Sequence, residues 1–535
     1  DPAIPAGPRE TAAVPASLVP PVPAPAPPPR AATSPPAHRA FPAGKAIAAG
    51  ALVAVAAAAY VAALAQRRGA AREPAVAADG ARRSIAVLPF ASLDGRADDR
   101  FLGLGMADAI ITKLSGLHAL VVRPTSAVMK YAGSPASSLE AAREQRVDVV
   151  LEGSLQHADG RVRVSARLLN AADGSPIWAY QDEIPAGERL FPVQDTLSEK
   201  IADALTLRLS EGERRSIRKH FTEDPAAYEA YVEGRWWWNQ RTAEGLTKGI
   251  ALFEKAVAKD PSYALAWAGL ADCYPLAVWY VPIPASEAVP KLTEAATRAV
   301  ALDPNLAEAH LGMGQVYSFR WDWSEAQREL ERAIALNPGY ATAHHWYALN
   351  LALTGEFDRA IREAQRAREL DPLSPSINTD LGWVYYLARR DAEAIAAYRS
   401  TLAMDPGFSL AHFDLALVLS ESGKHAEAIA EMQKAAERGS DYLAGLGYVY
   451  GRAGMRPEAL RALAQLKALA RSRYVPPYHF AWIYTGMGDR DRAIGELEQV
   501  YREHTQHVVD FKTVPMFDPL RNDPRYQDLV KRVGL

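Results

Sequence analysis

Apolar side chains in the middle of this chain follow a strand rhythm that later gives way to a helical one. Ile85-Ala86-Val87-Leu88-Pro89-Phe90 is a continuous apolar run of buried-strand length, and Asp98 to Leu117 carries helical spacing that stops at Gly116. Ala119 to Val122 reads as a second short strand, Ser138 to Gln145 as a helix, and Asp148 to Leu155 as another strand. Strict alternation from Arg161 to Leu168, after the turn pair Asp159-Gly160, predicts a hairpin partner with one face in solvent. Asp173-Gly174 then turns the chain into a third strand, Pro176 to Asp182, and an amphipathic helix from Phe191 to Leu209 closes the unit. Residues 84–210 therefore read as a small α/β sandwich.

Beyond it the pattern becomes periodic on a longer scale. Pro304, Pro338, Pro372 and Pro406 lie 34 residues apart, each preceded by Asp or Asn. That interval is the length of a tetratricopeptide helix pair. Small residues recur where two helices must cross closely: Gly314, Ala348, Gly382 and Ala416 on the first helix, and Ala326, Ala360, Ala394 and Ala428 on the second. Large side chains such as Leu381, Tyr385 and Tyr398 fill between them, and the proline ends each second helix. The phase extends back to Gly234, Phe253, Ala256 and Pro261, then to Trp267, Leu270, Ala271 and Tyr274, with an inter-helix turn lengthened by Val281 to Pro290. Forward, it continues with a one-residue slip through Leu446, Gly447, Tyr450 and Ala459 to Phe480, Ala481, Tyr484 and Ala493. About eight helix pairs over 226–505 are expected to stack into a solenoid with a concave groove, capped by 506–535.

The amino-terminal rhythm is different again. Residues 1–44 hold 14 of the 38 prolines and read as a semi-extended tether. Ala46 to Ala65 is an uncharged run of 20 residues between Lys45 and Arg67-Arg68, which matches one membrane span. Residues 66–83 form a linker. Five arginines on the carboxyl side (Arg67, Arg68, Arg72, Arg82 and Arg83), against Arg30, Arg39 and Lys45 on the other, mildly favour a cytoplasmic carboxyl-terminal portion. The whole reads as a mainly α protein: a tetratricopeptide solenoid, a small α/β domain and one transmembrane helix.

Composition narrows the chemistry. Across 535 residues, 60 basic side chains nearly cancel 63 acidic ones, so no global field draws the chain to nucleic acid, and no direct nucleic-acid contact is expected. The single cysteine, Cys273, falls at an apolar repeat position and reads as a core residue. Adjacent His344 and His345 point about 100° apart on a helix and cannot chelate one metal together, and His504 with His507 has no carboxylate placed to complete a site. Gly103-Leu104-Gly105 lacks the third glycine of a phosphate loop. Trp236-Trp237-Trp238 is expected to cover the open end of the solenoid against the α/β domain. No catalytic, metal or cofactor site is expected, and the chain reads as non-enzymatic.

Residues 84–210 resemble the TolB amino-terminal-like domain through Ser84-Ile85-Ala86-Val87-Leu88-Pro89-Phe90, Gly105 to Leu114, Val150-Leu151-Glu152-Gly153-Ser154 and Ile177-Trp178-Ala179. Residues 226–535 are similar to the tetratricopeptide tail of bacterial membrane-anchored proteins, including Trp321-Asp322-Trp323, Ala343 to Ala348 and Phe517-Asp518-Pro519-Leu520-Arg521. In such proteins the cytoplasmic unit is a winged-helix domain, as in CadC-type transcriptional regulators, or a serine/threonine kinase, and neither unit's motifs occur here. The resemblance implies a single-pass protein of the bacterial inner membrane with residues after 66 in the periplasm, against the arginine count.

The function expected is recognition. Positions facing inward on the first helices include Gln315, His345, Leu349, Thr379, Trp383, Tyr386, Phe413 and Leu417, part aromatic and part polar, which suits an extended peptide or a partner helix. A protein or peptide partner, a membrane and a second copy of the chain are the expected partners. The expected role is signal input to a transcriptional regulator; the alternative is the regulatory portion of a membrane kinase.

Overall fold

The computed structural model describes residues 82–94, 99–134, 136–185, 191–207, 209–219, 221–281, 283–435, 439–504 and 511–535. The tether, the span expected over 46–65 and almost all of the linker lie outside them. Among the described residues, no helix is long and apolar enough to cross a membrane.

The sandwich holds one sheet. Strands β1 (Arg83–Val87), β2 (Ala91–Ser92), β3 (Leu120–Val122), β4 (Val149–Ala158), β5 (Arg161–Asn170) and β6 (Pro176–Pro185) run in the order β3-β1-β4-β5-β6, with β2 also on β4. The pairs β1–β3 and β1–β4 are parallel, so the chain must cross over by helices, and β4, β5 and β6 form an antiparallel meander. Val162, Val164, Ala166 and Leu168 of β5 face the core while Arg161, Arg163 and Arg167 face out, which is the alternation seen in the sequence. The helices are α1 (Asp99–Ser115), a short α2 (Thr125–Val128), α3 (Ser138–Gln145), α4 (Phe191–Ala204) and α5 (Glu211–Ile217). The helix expected from Phe191 to Leu209 instead ends at Ala204, where Thr206 takes a left-handed backbone, and Ser210 with Glu213 opens α5 by a capping box.

Helix pairs follow. They are α6 (Pro225–Asn239) with α7 (Ala243–Lys259), α8 (Ala264–Tyr280) with α9 (Ala285–Leu302), and α10 (Ala307–Phe319) with α11 (Trp323–Leu336). Next come α12 (Ala341–Thr354) with α13 (Phe357–Leu370), and α14 (Pro375–Leu387) with α15 (Asp391–Met404). The last are α16 (Ser409–Glu421) with α17 (His425–Lys434), α18 (Gly439–Arg452) with α19 (Arg456–Leu469), and α20 (Pro477–Gly486) with α21 (Arg490–Arg502). The long turn expected over Val281 to Pro290 is short: α9 begins at Ala285 and runs through Pro290, so the extra residues lengthen helices. The small residues of the 34-residue pattern are all buried at helix crossings. At Gly382 the need is explicit, since a Cβ there would lie 2.6 Å from Cε1 of Tyr398.

One motif repeats at the turns. Six residues after each turn proline, a side-chain nitrogen hydrogen-bonds that proline's carbonyl: Trp267 Nε1 to Pro261 at 3.0 Å, His310 Nε2 to Pro304 at 2.9 Å, and His344 Nε2 to Pro338 at 3.2 Å. Asn378 Nδ2 and His412 Nε2 do the same to Pro372 and Pro406, each at 3.0 Å. In the three histidine repeats, Nδ1 also lies 2.6 Å from a glutamate 19 residues on: Glu329, Glu363 or Glu431. The proline carbonyl, left without a helical partner, is thus satisfied from within its own repeat.

The sandwich and the connector that follows it meet these turns. Asp260 accepts from Thr222 Oγ1 at 2.5 Å, Asp303 is paired with Lys219, and Asp371 accepts from Ser126 Oγ at 2.8 Å. Each is the acidic residue before a turn proline. Gly105 lets α6 approach, and its carbonyl accepts from Tyr228 Oη at 2.5 Å. Trp236 meets Phe101 of α1 edge to face at 6.1 Å, while Trp238 is buried and donates to the Asp272 carbonyl at 3.1 Å.

Candidate partner-binding site

The first helices of the second to eighth pairs converge on a cavity of about 250 Å³. Its wall is aromatic and aliphatic: Trp346 and Leu349 come from α12, Trp383 from α14, Phe413 and Leu417 from α16, and Trp482 from α20. Phe413 packs on Trp482 with ring centroids 5.6 Å apart, and Tyr478 meets Trp482 at 5.1 Å. Polar groups sit among them. Asp380 lies 2.6 Å from His345 Nε2, and Asp441 lies 2.7 Å from His479 Nε2. Asn350 donates to Ser318 Oγ at 3.2 Å.

Five of the residues placed in the groove from the sequence line this cavity: Gln315, Leu349, Trp383, Phe413 and Leu417. His345, Thr379 and Tyr386 do not. His345 is turned to the Asp380 carboxylate of the next repeat, and Thr379 and Tyr386 are fully buried between helices, with burial holding the Tyr386 phenol well above its ordinary pKa. The reason is angular, since one residue on a helix is 100° and separates a wall position from a packing position. Trp346, Asp380 and Asp414 form the neighbouring 34-residue column and do line the cavity. The same 34-residue spacing marks that column in the sequence. Tyr478, His479 and Trp482 follow the register slip, which hid them.

The carboxyl terminus adds the wall that spacing could not show. The segment from Phe511 on, with a 3-10 turn over Pro515–Leu520 and helix α22 (Pro524–Arg532), packs back on the third, fourth and fifth pairs. Trp323 Nε1 donates to the Val533 carbonyl at 3.1 Å, Lys512 Nζ to the Thr354 carbonyl at 2.9 Å, and Arg389 pairs with Asp518 at 2.7 Å. Met516 thereby lines the cavity. The segment thus touches the third, fourth and fifth pairs.

No group of acidic, histidine or cysteine side chains among the described residues could hold a metal ion. Cys273 is buried, and burial pushes its thiol well above the usual range, so it is a core residue. His504 is exposed, and one face of its ring stacks on Trp321 with centroids 3.6 Å apart.

A helical-repeat solenoid carrying a docked α/β domain is the class these features define. Tetratricopeptide repeats match at 311–375, 354–407 and 379–443, and residues 81–200 match the family described as HilA/YgeH-like transcriptional regulator, second domain. The sandwich compared above with TolB thus carries a regulator-like match. Putative adenylate cyclase 3 of Rhizobium meliloti (strain 1021) is 31% identical over 190 residues, covering 36% of this chain and 32% of that protein. The chain thus spans about a third of that relative's length. Among solved structures, Pseudomonas aeruginosa PilF is 19% identical with a TM-score of 0.32, covering 40% of this chain and 94% of that one. The Cut9–Hcn1 hetero-tetramer structure is also 19% identical, with a TM-score of 0.40, covering 65% of this chain and 64% of that one.

Proposed function

We propose that this chain is the signal-input portion of a transcriptional regulator, anchored by residues 46–65 in a bacterial inner membrane with the sandwich and solenoid on the periplasmic side. In this reading the aromatic cavity binds a segment of a protein partner, and occupancy is passed to the sandwich along helix α14. The observation that carries it is the position of α14. The turn before that helix docks Ser126 of the regulator-like domain through Asp371, while its Asp380 and Trp383 line the cavity. A random-peptide display library panned on the full chain tests the binding claim: enrichment that persists in Trp383→Ala would remove it. A reporter fused after Leu535 tests the topology, and activity of a cytoplasm-only reporter overturns it.

A second reading is favoured by the similarity to the Rhizobium meliloti protein, and makes the same cavity the regulatory input of a nucleotide cyclase. Cyclic AMP formation by the product of the whole gene, altered by Trp383→Ala, would select this reading over the first.

A further inference from the structure

We propose that the cavity recognises a basic side chain, arginine or lysine, together with the backbone beside it, on the partner's peptide. The inference rests on the peptide-binding reading above and gives that peptide its chemistry. Three carboxylates, Asp380, Asp414 and Asp441, line the space, the first facing His345 and the last His479, and no lysine or arginine lines it among the described residues. Indole faces of Trp346 and Trp383 stand with them, half-exposed, and an aromatic wall with acidic neighbours attracts a cation through both its charge and the ring quadrupoles.

A second observation is independent of charge. Asn350 is 4% exposed and lines the cavity; its amide nitrogen is used by Ser318, and its Oδ1 has no donor among the described residues. Trp482 is 8% exposed, lines the same space, and its Nε1 has no acceptor among them. A buried acceptor and a buried donor left unmade each cost free energy. A peptide group supplies one N–H and one C=O, whereas a free alkylammonium ion supplies no acceptor. The pair therefore favours a peptide-borne cation over a small organic one.

The test uses the full chain at pH 8 and acetylated pentapeptide amides with leucine at the flanks and arginine, lysine, citrulline, norleucine or glutamate at the centre. The arginine and lysine peptides should bind at least about tenfold more tightly than the citrulline and norleucine peptides, and glutamate should not bind. Asp380→Asn with Asp414→Asn should abolish that preference, and Asn350→Leu should weaken the arginine and citrulline peptides alike. Thermal melting of each variant reports whether it folds. Should the double variant misfold, raising salt on the wild type should still narrow the arginine preference. Citrulline binding as tightly as arginine sinks the cation claim but leaves the groove reading standing. Tetraethylammonium displacing the arginine peptide at equal concentration sinks the peptide-borne claim. Peptide binding unchanged in Trp383→Ala sinks the groove reading itself, and no binding by any probe overturns the proposal.

Discussion

Arg123 Nη1 donates to the carbonyl of Leu370 at 3.0 Å, across 247 residues of chain. The same guanidinium gives Nε to the Gln145 carbonyl at 2.9 Å and Nη2 to the Arg146 carbonyl at 3.2 Å, so one buried side chain ties strand β3's end, helix α3's end and helix α13's end together. A cation at the carbonyl end of a helix is also favoured by the helix dipole. Arg123→Met removes these bonds and leaves buried carbonyls unpaired, which should cost about 2–4 kcal/mol. Lysine cannot reproduce the planar fork, so Arg123→Lys should recover only part. Melting temperature measures the first effect, and tryptic cleavage between residues 205 and 224 should rise with it. An unaltered transition in Arg123→Met would show that the joint adds nothing to stability.

Asp371, beside that joint, makes stability depend on pH. Burial raises its carboxyl to about 6, against the hydrogen bond from Ser126 and the charge of Arg123. Because the folded pKa exceeds the unfolded value of about 4, the folded state holds more protons between these limits, and stability falls as pH rises through that window. Above about 6 the ionised group costs on the order of 2–3 kcal/mol. Asp371→Asn should flatten the dependence between pH 4 and 6 and raise stability at pH 8. Urea titrations at these three values test it, and an Asn variant with the wild-type slope would refute the assignment.

The clasp at each turn offers an internal control. His344 bonds the Pro338 carbonyl and Glu363, while in the next repeat Asn378 donates to the Pro372 and Ser374 carbonyls and meets no glutamate among the described residues. His344→Ala should therefore cost about 1–2 kcal/mol, and His344→Asn less, because asparagine can reach the carbonyl while forgoing the glutamate. In a double-mutant cycle, Glu363→Gln should cost less in the His344→Asn background than in the wild type, because the asparagine variant has already lost the glutamate contact. Equal losses for the alanine and asparagine variants would deny the carbonyl bond any role.

What the sequence disclosed, and what it withheld, follows from distance along the chain. Prolines and small residues at a fixed interval reveal helix pairs because each repeat solves the same local packing problem, and Gly382 against Tyr398 lies within one repeat. The sandwich strands were equally legible, since their alternation mirrors one wet face. Wall positions were half legible, because a column slipped by one residue, His345 rather than Trp346, turns by 100°. Contacts such as Ser126 with Asp371 were not legible, since an acid before a turn proline serves its own turn wherever the sandwich lies. Asp260 and Asp303 show this double use: Oδ1 accepts from the N–H two residues on, and Oδ2 meets Thr222 or Lys219 of the connector between the sandwich and α6.

The return of the carboxyl terminus to the third helix pair was hidden for the same reason and yields the last expectation. Trp323 is buried at the start of α11 and donates to Val533, with Gly534 in a left-handed conformation against the indole. Trp323→Phe keeps the apolar contact and forfeits one hydrogen bond, about 1 kcal/mol, whereas Trp323→Ala should cost about 3–5 kcal/mol. Met516, upstream in the same segment, lines the cavity although Trp323 does not. Loosening this contact should therefore speed amide exchange across 515–535 and weaken peptide binding without altering any residue of the cavity wall. Hydrogen exchange followed by mass spectrometry reads the first effect and peptide titration the second. Faster exchange with undiminished binding would mean that the terminal segment packs on the helix pairs without shaping the receptor.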